Sequence, residues 1–203
     1  MTPVPPIALA GLATLADTMR TAARLPGMLV YISPELGDNA CAGMQCAPAP
    51  VVGIGAALFD ARAAALQGAL AHEIAHHALG HTTDPVVPVL DRLTTAAAVA
   101  AVLAWPARLP LALVVILAAV AAVLRLTSAW WQRRAEYAAD AHAARLLDAA
   151  GLPGRPIVAV MLTADLPGEP RWYGRGGWLI GSHPTTPARI RRIASIPRTG
   201  GAR

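Results

Sequence analysis

The chain has 203 residues, 55% of them hydrophobic and 14% charged, and its +5 balance comes from arginine, since no lysine occurs. That length suits one domain, and the charged fraction falls well short of the about 25% usual in soluble domains, so a small core cannot hold all the apolar residues. No arginine cluster interleaves with aromatics, which argues against a nucleic-acid partner; the positive balance suits the face of an anionic membrane.

The N-terminus carries no basic stretch ahead of an apolar core, so no cleavable signal peptide is expected. Residues 6–24 read as a helix stopped by Pro26 and Gly27, and Met28–Ser33 as a short strand ended by Pro34. Residues 37–50 read as a loop, and Val51–Gly55 as a second, glycine-interrupted strand. Cys41 and Cys46 lie in that loop at a spacing that is a weak zinc signal. They form either a disulfide in an oxidising compartment or free thiols in a reducing one, and the free state is the expectation.

Residues 63–81 are helical in pattern and contain Ala-His-Glu-Ile-Ala-His-His-Ala-Leu-Gly-His. His72 and His76 are one helical turn apart, so both imidazoles leave the same face and can grip one metal ion. Glu73 beside them is placed to reach a metal-bound water rather than the metal. His77 is rotated about 100° from His76 and is not expected to be a ligand. His81 reads as a polar helix-end residue.

Two apolar arms follow, Leu93–Ala107 and Leu109–Leu124, with Pro106, Arg108 and Pro110 forming a turn between them. They read as a helical hairpin inserted at residues 93–126, each arm somewhat short of the ~20 residues that span a bilayer comfortably. The arms have almost no polar face, and Trp105 and Trp130–Trp131 stand where interfacial aromatic belts would lie. A lipid bilayer is therefore the expected surrounding, with a hairpin buried in a soluble core as the alternative. Arg125, Arg133 and Arg134 cluster beyond the second arm while the turn has Arg108 alone, which puts the catalytic parts on the cytoplasmic side of the cell (inner) membrane.

Thr127 or Ser128 is expected to cap a new helix running to Ala150, with Gly151 as its stop. A helix at 156–164, a Trp- and Gly-rich loop at 168–182 and a last helix from about Thr186 to Ile196 complete the chain. A hydrolytic zinc site takes three protein ligands and keeps one position for water. Glu136, on the helix after the hairpin, is the expected third ligand; Asp140, His142 and His183 are the other candidates. Asp140, four residues beyond Glu136 on the same face, can accept a hydrogen bond from the second nitrogen of a ligand imidazole.

The order of these motifs resembles the HtpX-like membrane zinc endopeptidases, a family that includes the CAAX prenyl proteases. The motifs are His-Glu-Ile-Ala-His with His81, a hydrophobic hairpin, Arg-Arg-Ala-Glu-Tyr-Ala-Ala-Asp, and Ser-His-Pro with Arg-Ile after it. The likeness spans about residues 25–195. It implies a single mostly α-helical domain over 1–203 with a small β-sheet, an α+β zincin-like core of the gluzincin type, plus the membrane-embedded hairpin. It implies one Zn2+ per chain on His72, His76 and Glu136, Glu73 as catalytic base, and Asp140 supporting a ligand from behind. His183 would lie close to the metal and assist catalysis. The partner would be a polypeptide substrate held extended along Val51–Gly55 as an edge strand. The implied activity is peptide-bond hydrolysis, with membrane-protein quality control as its setting. A rival from another class is a non-proteolytic, membrane-anchored zinc protein acting as an adaptor or regulatory subunit; the intact Glu73 argues against it.

Overall fold

The computed structural model describes residues 6–43, 49–170, 173 and 181–196. Its elements run α1 (Pro6–Ala22), β1 (Leu29–Ser33), β2 (Ala40–Gly43), β3 (Val51–Gly55), α2 (Ala63–Ala78), α3 (Val86–Ala104), α4 (Leu111–Ala149), α5 (Gly154–Asp165) and α6 (Thr186–Ser195). The result is mostly helical with one small sheet. The chain divides into two compact units, and the cut passes through α4 between Glu136 and Tyr137. Unit one holds residues 1–83, 137–169 and 186–203; unit two holds 84–136 and 170–185.

The sheet of unit one has the order β1-β3-β2, β1 parallel and β2 antiparallel to β3. This corrects the expected role of Val51–Gly55. Every residue of β3 has a partner in β1, from Leu29↔Val51 to Ser33↔Gly55, and its other side is taken by Ala40–Gly43. A strand with both rows of amides paired has no edge to offer a peptide. The cause is β2, which forms inside residues 37–50 where a loop is expected. Cys41 lies on β2, whereas Cys46 falls outside the described residues.

Unit one is assembled on apolar side chains that are fully out of solvent, among them Met19 of α1, Val52 and Ile54 of β3, Leu70 and Ile74 of α2, and Val158 and Leu162 of α5. α5 packs on α2. The approach is close because Gly68 of α2 has no side chain: a Cβ there would lie 2.7 Å from the Cβ of Met161.

Unit two contains α3, the turn and the first part of α4. The apolar stretches of these two helices are long enough to cross a membrane, and only 6% and 11% of them is buried. α3 has 19 residues, which at 1.5 Å each gives a rod of roughly 28 Å, close to a hydrocarbon core about 30 Å thick. The turn is closed by Arg108 in the left-handed region (φ 53°) and by the Leu109 amide donating to the Ala104 carbonyl at 3.1 Å.

The expected restart of the helix at Thr127 or Ser128 does not occur, and α4 is one continuous helix of 39 residues. Both hydroxyls are engaged in ways that leave the helix intact. Thr127 donates back to the Val123 carbonyl at 2.9 Å, and the fully buried Ser128 donates across to Asp91 of α3 at 2.7 Å. Gln132 donates to Ser128 at 3.0 Å, and the Trp131 indole donates to Asp84 at 3.0 Å. The Ser128 bond ties α3 to α4 at the base of the hairpin, and the Trp131 bond ties α4 to the residues just before α3.

Candidate metal centre

α2 has a sequence that buries one side and leaves another for chemistry. Leu70, Ala71, Ile74 and Ala75 are completely buried in unit one. The remaining positions of those turns carry His72, which is 7% exposed, and the half-buried Glu73 and His76. The Nε2 atoms of His72 and His76 face each other at 3.1 Å. Tetrahedral zinc with Zn–N bonds of 2.0–2.1 Å holds its ligand nitrogens about 3.3 Å apart, so the two imidazoles stand at close to that spacing.

The end of α2 shapes the back of the second imidazole. Gly80 takes a left-handed conformation (φ 72°), the His81 amide donates to the His76 carbonyl at 2.9 Å, and the Gly80 amide donates to the His77 carbonyl at 3.0 Å. This pair of bonds is a Schellman stop, for which glycine is the natural residue because the backbone must reverse its twist. It folds the chain back so that His81 Nδ1 lies 3.1 Å from His76 Nδ1. Were Nε2 of His76 to hold a metal, its Nδ1 would carry the proton and donate a hydrogen bond to His81, which would fix the tautomer. His77 is occupied elsewhere, its Nε2 bonded to the Val51 carbonyl at 2.9 Å and its Nδ1 to Thr82 at 3.1 Å. It braces α2 against β3.

Glu136 is buried, with 8% exposure, at the point where α4 passes into the stretch Tyr137–Ala149. One ligand atom from each of His72, His76 and Glu136 can be chosen so that all lie within 4.8 Å of one another, and these three are placed to bind a metal. Two imidazoles and one carboxylate form a donor set that suits zinc. His183 lies beside the carboxylate, its Nδ1 3.3 Å from Glu136 Oε1, with 63% of its side chain exposed. Its backbone carbonyl accepts a 2.6 Å hydrogen bond from the Tyr173 hydroxyl.

One turn beyond Glu136, Asp140 is 1% exposed and presents Oδ1 to His72 Nδ1 at 3.1 Å. Arg189 of α6 holds the same carboxylate with two bonds, Nε to Oδ2 at 2.8 Å and a terminal nitrogen to Oδ1 at 2.7 Å. Burial by itself pushes the Asp140 carboxyl up, but the hydrogen bonds and charge from Arg189 and His72 outweigh it and hold the group below the ordinary aspartate value. Asp140 is therefore an anion facing His72, and the Nδ1 proton of His72 is fixed toward it.

The three candidate ligands named from the sequence lie within 4.8 Å of one another, Asp140 reaches the imidazole of His72, and His183 stands beside Glu136. His142, an alternative ligand, instead pairs with Arg145 at 3.0 Å. Two contributors are given no role at the metal by the residue-by-residue reading: His81, seen there as a helix-end residue, and Arg189, part of the Arg-Ile pair that follows Ser-His-Pro. A signal for the first is Gly80, whose stop turns the next residue back on the helix.

A family model described as Peptidase family M48 matches residues 12–196, nearly the whole chain. Comparison with curated proteins and with solved structures returns no significant match.

Proposed function

Since the chain belongs to peptidase family M48, we propose that it is a zinc endopeptidase of the HtpX-like, gluzincin type, held in a bilayer by its α3–α4 hairpin. The convergence of His72, His76 and Glu136 within 4.8 Å is the observation that carries this reading. Bound zinc supplies Lewis acidity that polarises a scissile carbonyl and brings the pKa of a bound water down toward about 7.

The chain's own residues do the rest. His72, held by Asp140, and His76, held by His81, present fixed nitrogens, and Glu136 completes the set. Glu73, the next residue on α2 after His72, takes the proton of the attacking water and delivers it to the leaving amine. His183, beside Glu136 and mostly exposed, donates a hydrogen bond to charge developing on the scissile carbonyl. The polypeptide substrate adds to the outer edge of β2, which packs against α2, rather than to β3.

The hairpin supports the membrane half of the proposal. Val102, Leu103, Leu111 and Val123 are each at least 60% exposed, and Trp105 at the turn is 70% exposed. Arginines 125, 133 and 134 at the base against Arg108 at the turn favour a cytoplasmic catalytic unit on the inner face of the cell membrane. Clearance of damaged membrane proteins fits that setting.

The test is cleavage of a generic unfolded protein by the zinc-loaded chain purified in detergent. Wild type is expected to cut at internal peptide bonds, and Glu73→Gln to keep its zinc and lose turnover. A zinc-loaded wild type that leaves the unfolded protein intact would contradict the reading, and an active Glu73→Gln would remove Glu73 as the base.

A further inference from the structure

Arg189 is a partly buried cation beside His72 that the proposed chemistry does not use. Its backbone is fixed about one helical turn to either side. Just before it, the amide of Thr186, the first residue of α6, donates to both carboxylate oxygens of Glu169 at 3.2 Å. Four residues later, Ile193 is only 2% exposed in the core. From this anchored turn the guanidinium reaches inward with 11% of its side chain exposed, and a terminal nitrogen comes within 3.5 Å of both ring nitrogens of His72.

The two bonds to Asp140 define which oxygen faces the imidazole. Oδ2 takes the Nε bond; Oδ1 takes the terminal nitrogen at 2.7 Å and is the oxygen 3.1 Å from His72 Nδ1. A planar fork grips a carboxylate in one plane and one rotation, which a lysine ammonium cannot do. A carboxylate as buried as Asp140 also needs a paired cation to remain there as an anion.

We propose that Arg189 is a positioning residue of the metal centre: by clamping Asp140 in one orientation it fixes the tautomer and ring angle of His72, and so sets how tightly the chain holds zinc. The inference rests on the metallopeptidase reading and extends it to a residue that acts through Asp140 and His72. Removing a group behind a metal ligand typically weakens binding 10- to 100-fold. Arg189→Lys keeps the charge and loses the fork, so it should fall in the same direction.

The experiment is zinc affinity by chelator competition on the full-length chain in detergent, for wild type, Arg189→Gln, Arg189→Lys, Asp140→Asn and the Asp140→Asn/Arg189→Gln double variant. Arg189→Gln and Asp140→Asn are each expected to weaken zinc by about 10- to 100-fold, Arg189→Lys to fail to rescue, and the double variant to bind no more weakly than Asp140→Asn alone. Wild-type affinity in folded Arg189→Gln or Arg189→Lys, or a double variant whose losses multiply, would overturn the proposal. Should Arg189→Gln not fold, Asp140→Asn against the double variant decides, since neither carries a lone buried anion: equal affinities support the clamp, and a further loss overturns it. A wild type that binds no zinc would overturn the metallopeptidase reading and this inference together, whereas zinc-binding wild type with an unaffected Arg189→Gln removes only the clamp.

Discussion

α2 and α3 are helices of similar length and similar alanine-rich, aliphatic composition, yet they treat their side chains in opposite ways. In α2, Leu70, Ala71, Ile74 and Ala75 have no exposed surface, and the polar residues of the same turns form the candidate metal centre. In α3, Val99, Val102 and Leu103 are 51%, 71% and 60% exposed, with Asp91 the acidic group that pins the helix to α4. Burial within the chain gives the first helix fixed side chains and therefore a site. Exposure gives the second a large apolar surface, which the proposed bilayer would cover.

The difference is sharpest in the expected responses to substitution. Glu73→Gln should lower hydrolysis by about 10²- to 10⁴-fold, the usual contribution of a general base, with zinc content unchanged; no substitution of an α3 valine or leucine should approach that. Leu70→Ala or Ile74→Ala should cost about 2–5 kcal/mol in denaturant unfolding, whereas Val102→Ala or Leu103→Ala, at exposed positions of α3, should stay within about 0.5 kcal/mol in detergent. Equal losses in both helices would mean that the hairpin is packed like a core. Gly68→Ala forces a Cβ to within 2.7 Å of Met161 and should cost about 1–3 kcal/mol by overpacking, read from the same unfolding curves. Smallest is Gly80→Ala, whose left-handed backbone (φ 72°) should cost about 1 kcal/mol. It should also loosen zinc by moving His81 from behind His76, which chelator competition would register.

What the sequence reveals divides along the same line. The helix bearing His72 and His76 is legible because one turn of spacing and a glycine stop are local signals. Glu136 is legible from 60 residues away, 136 minus 76, because only a carboxylate or imidazole can complete the set and its helix has a clear pattern. β2 is not, since Ala-Cys-Ala-Gly lacks the β-branched residues that mark a strand; missing it turns a central strand into an apparent edge. The continuity of α4 is hidden because Thr127 and Ser128 look like caps, and their actual bonds, to Val123 and Asp91, depend on the folded neighbourhood. Arg189 is visible as half of an Arg-Ile pair, but its grip on Asp140 is not, although it is four residues from the buried Ile193 and therefore shares its inward face.

In the proposed site one zinc ion is held by His72, His76 and Glu136, and metal content checks this. Purified wild type, dialysed against buffer with trace zinc, should retain one zinc per chain, and Glu136→Ala treated alongside it should retain almost none. One zinc per chain in both proteins, held with equal affinity, would contradict the account.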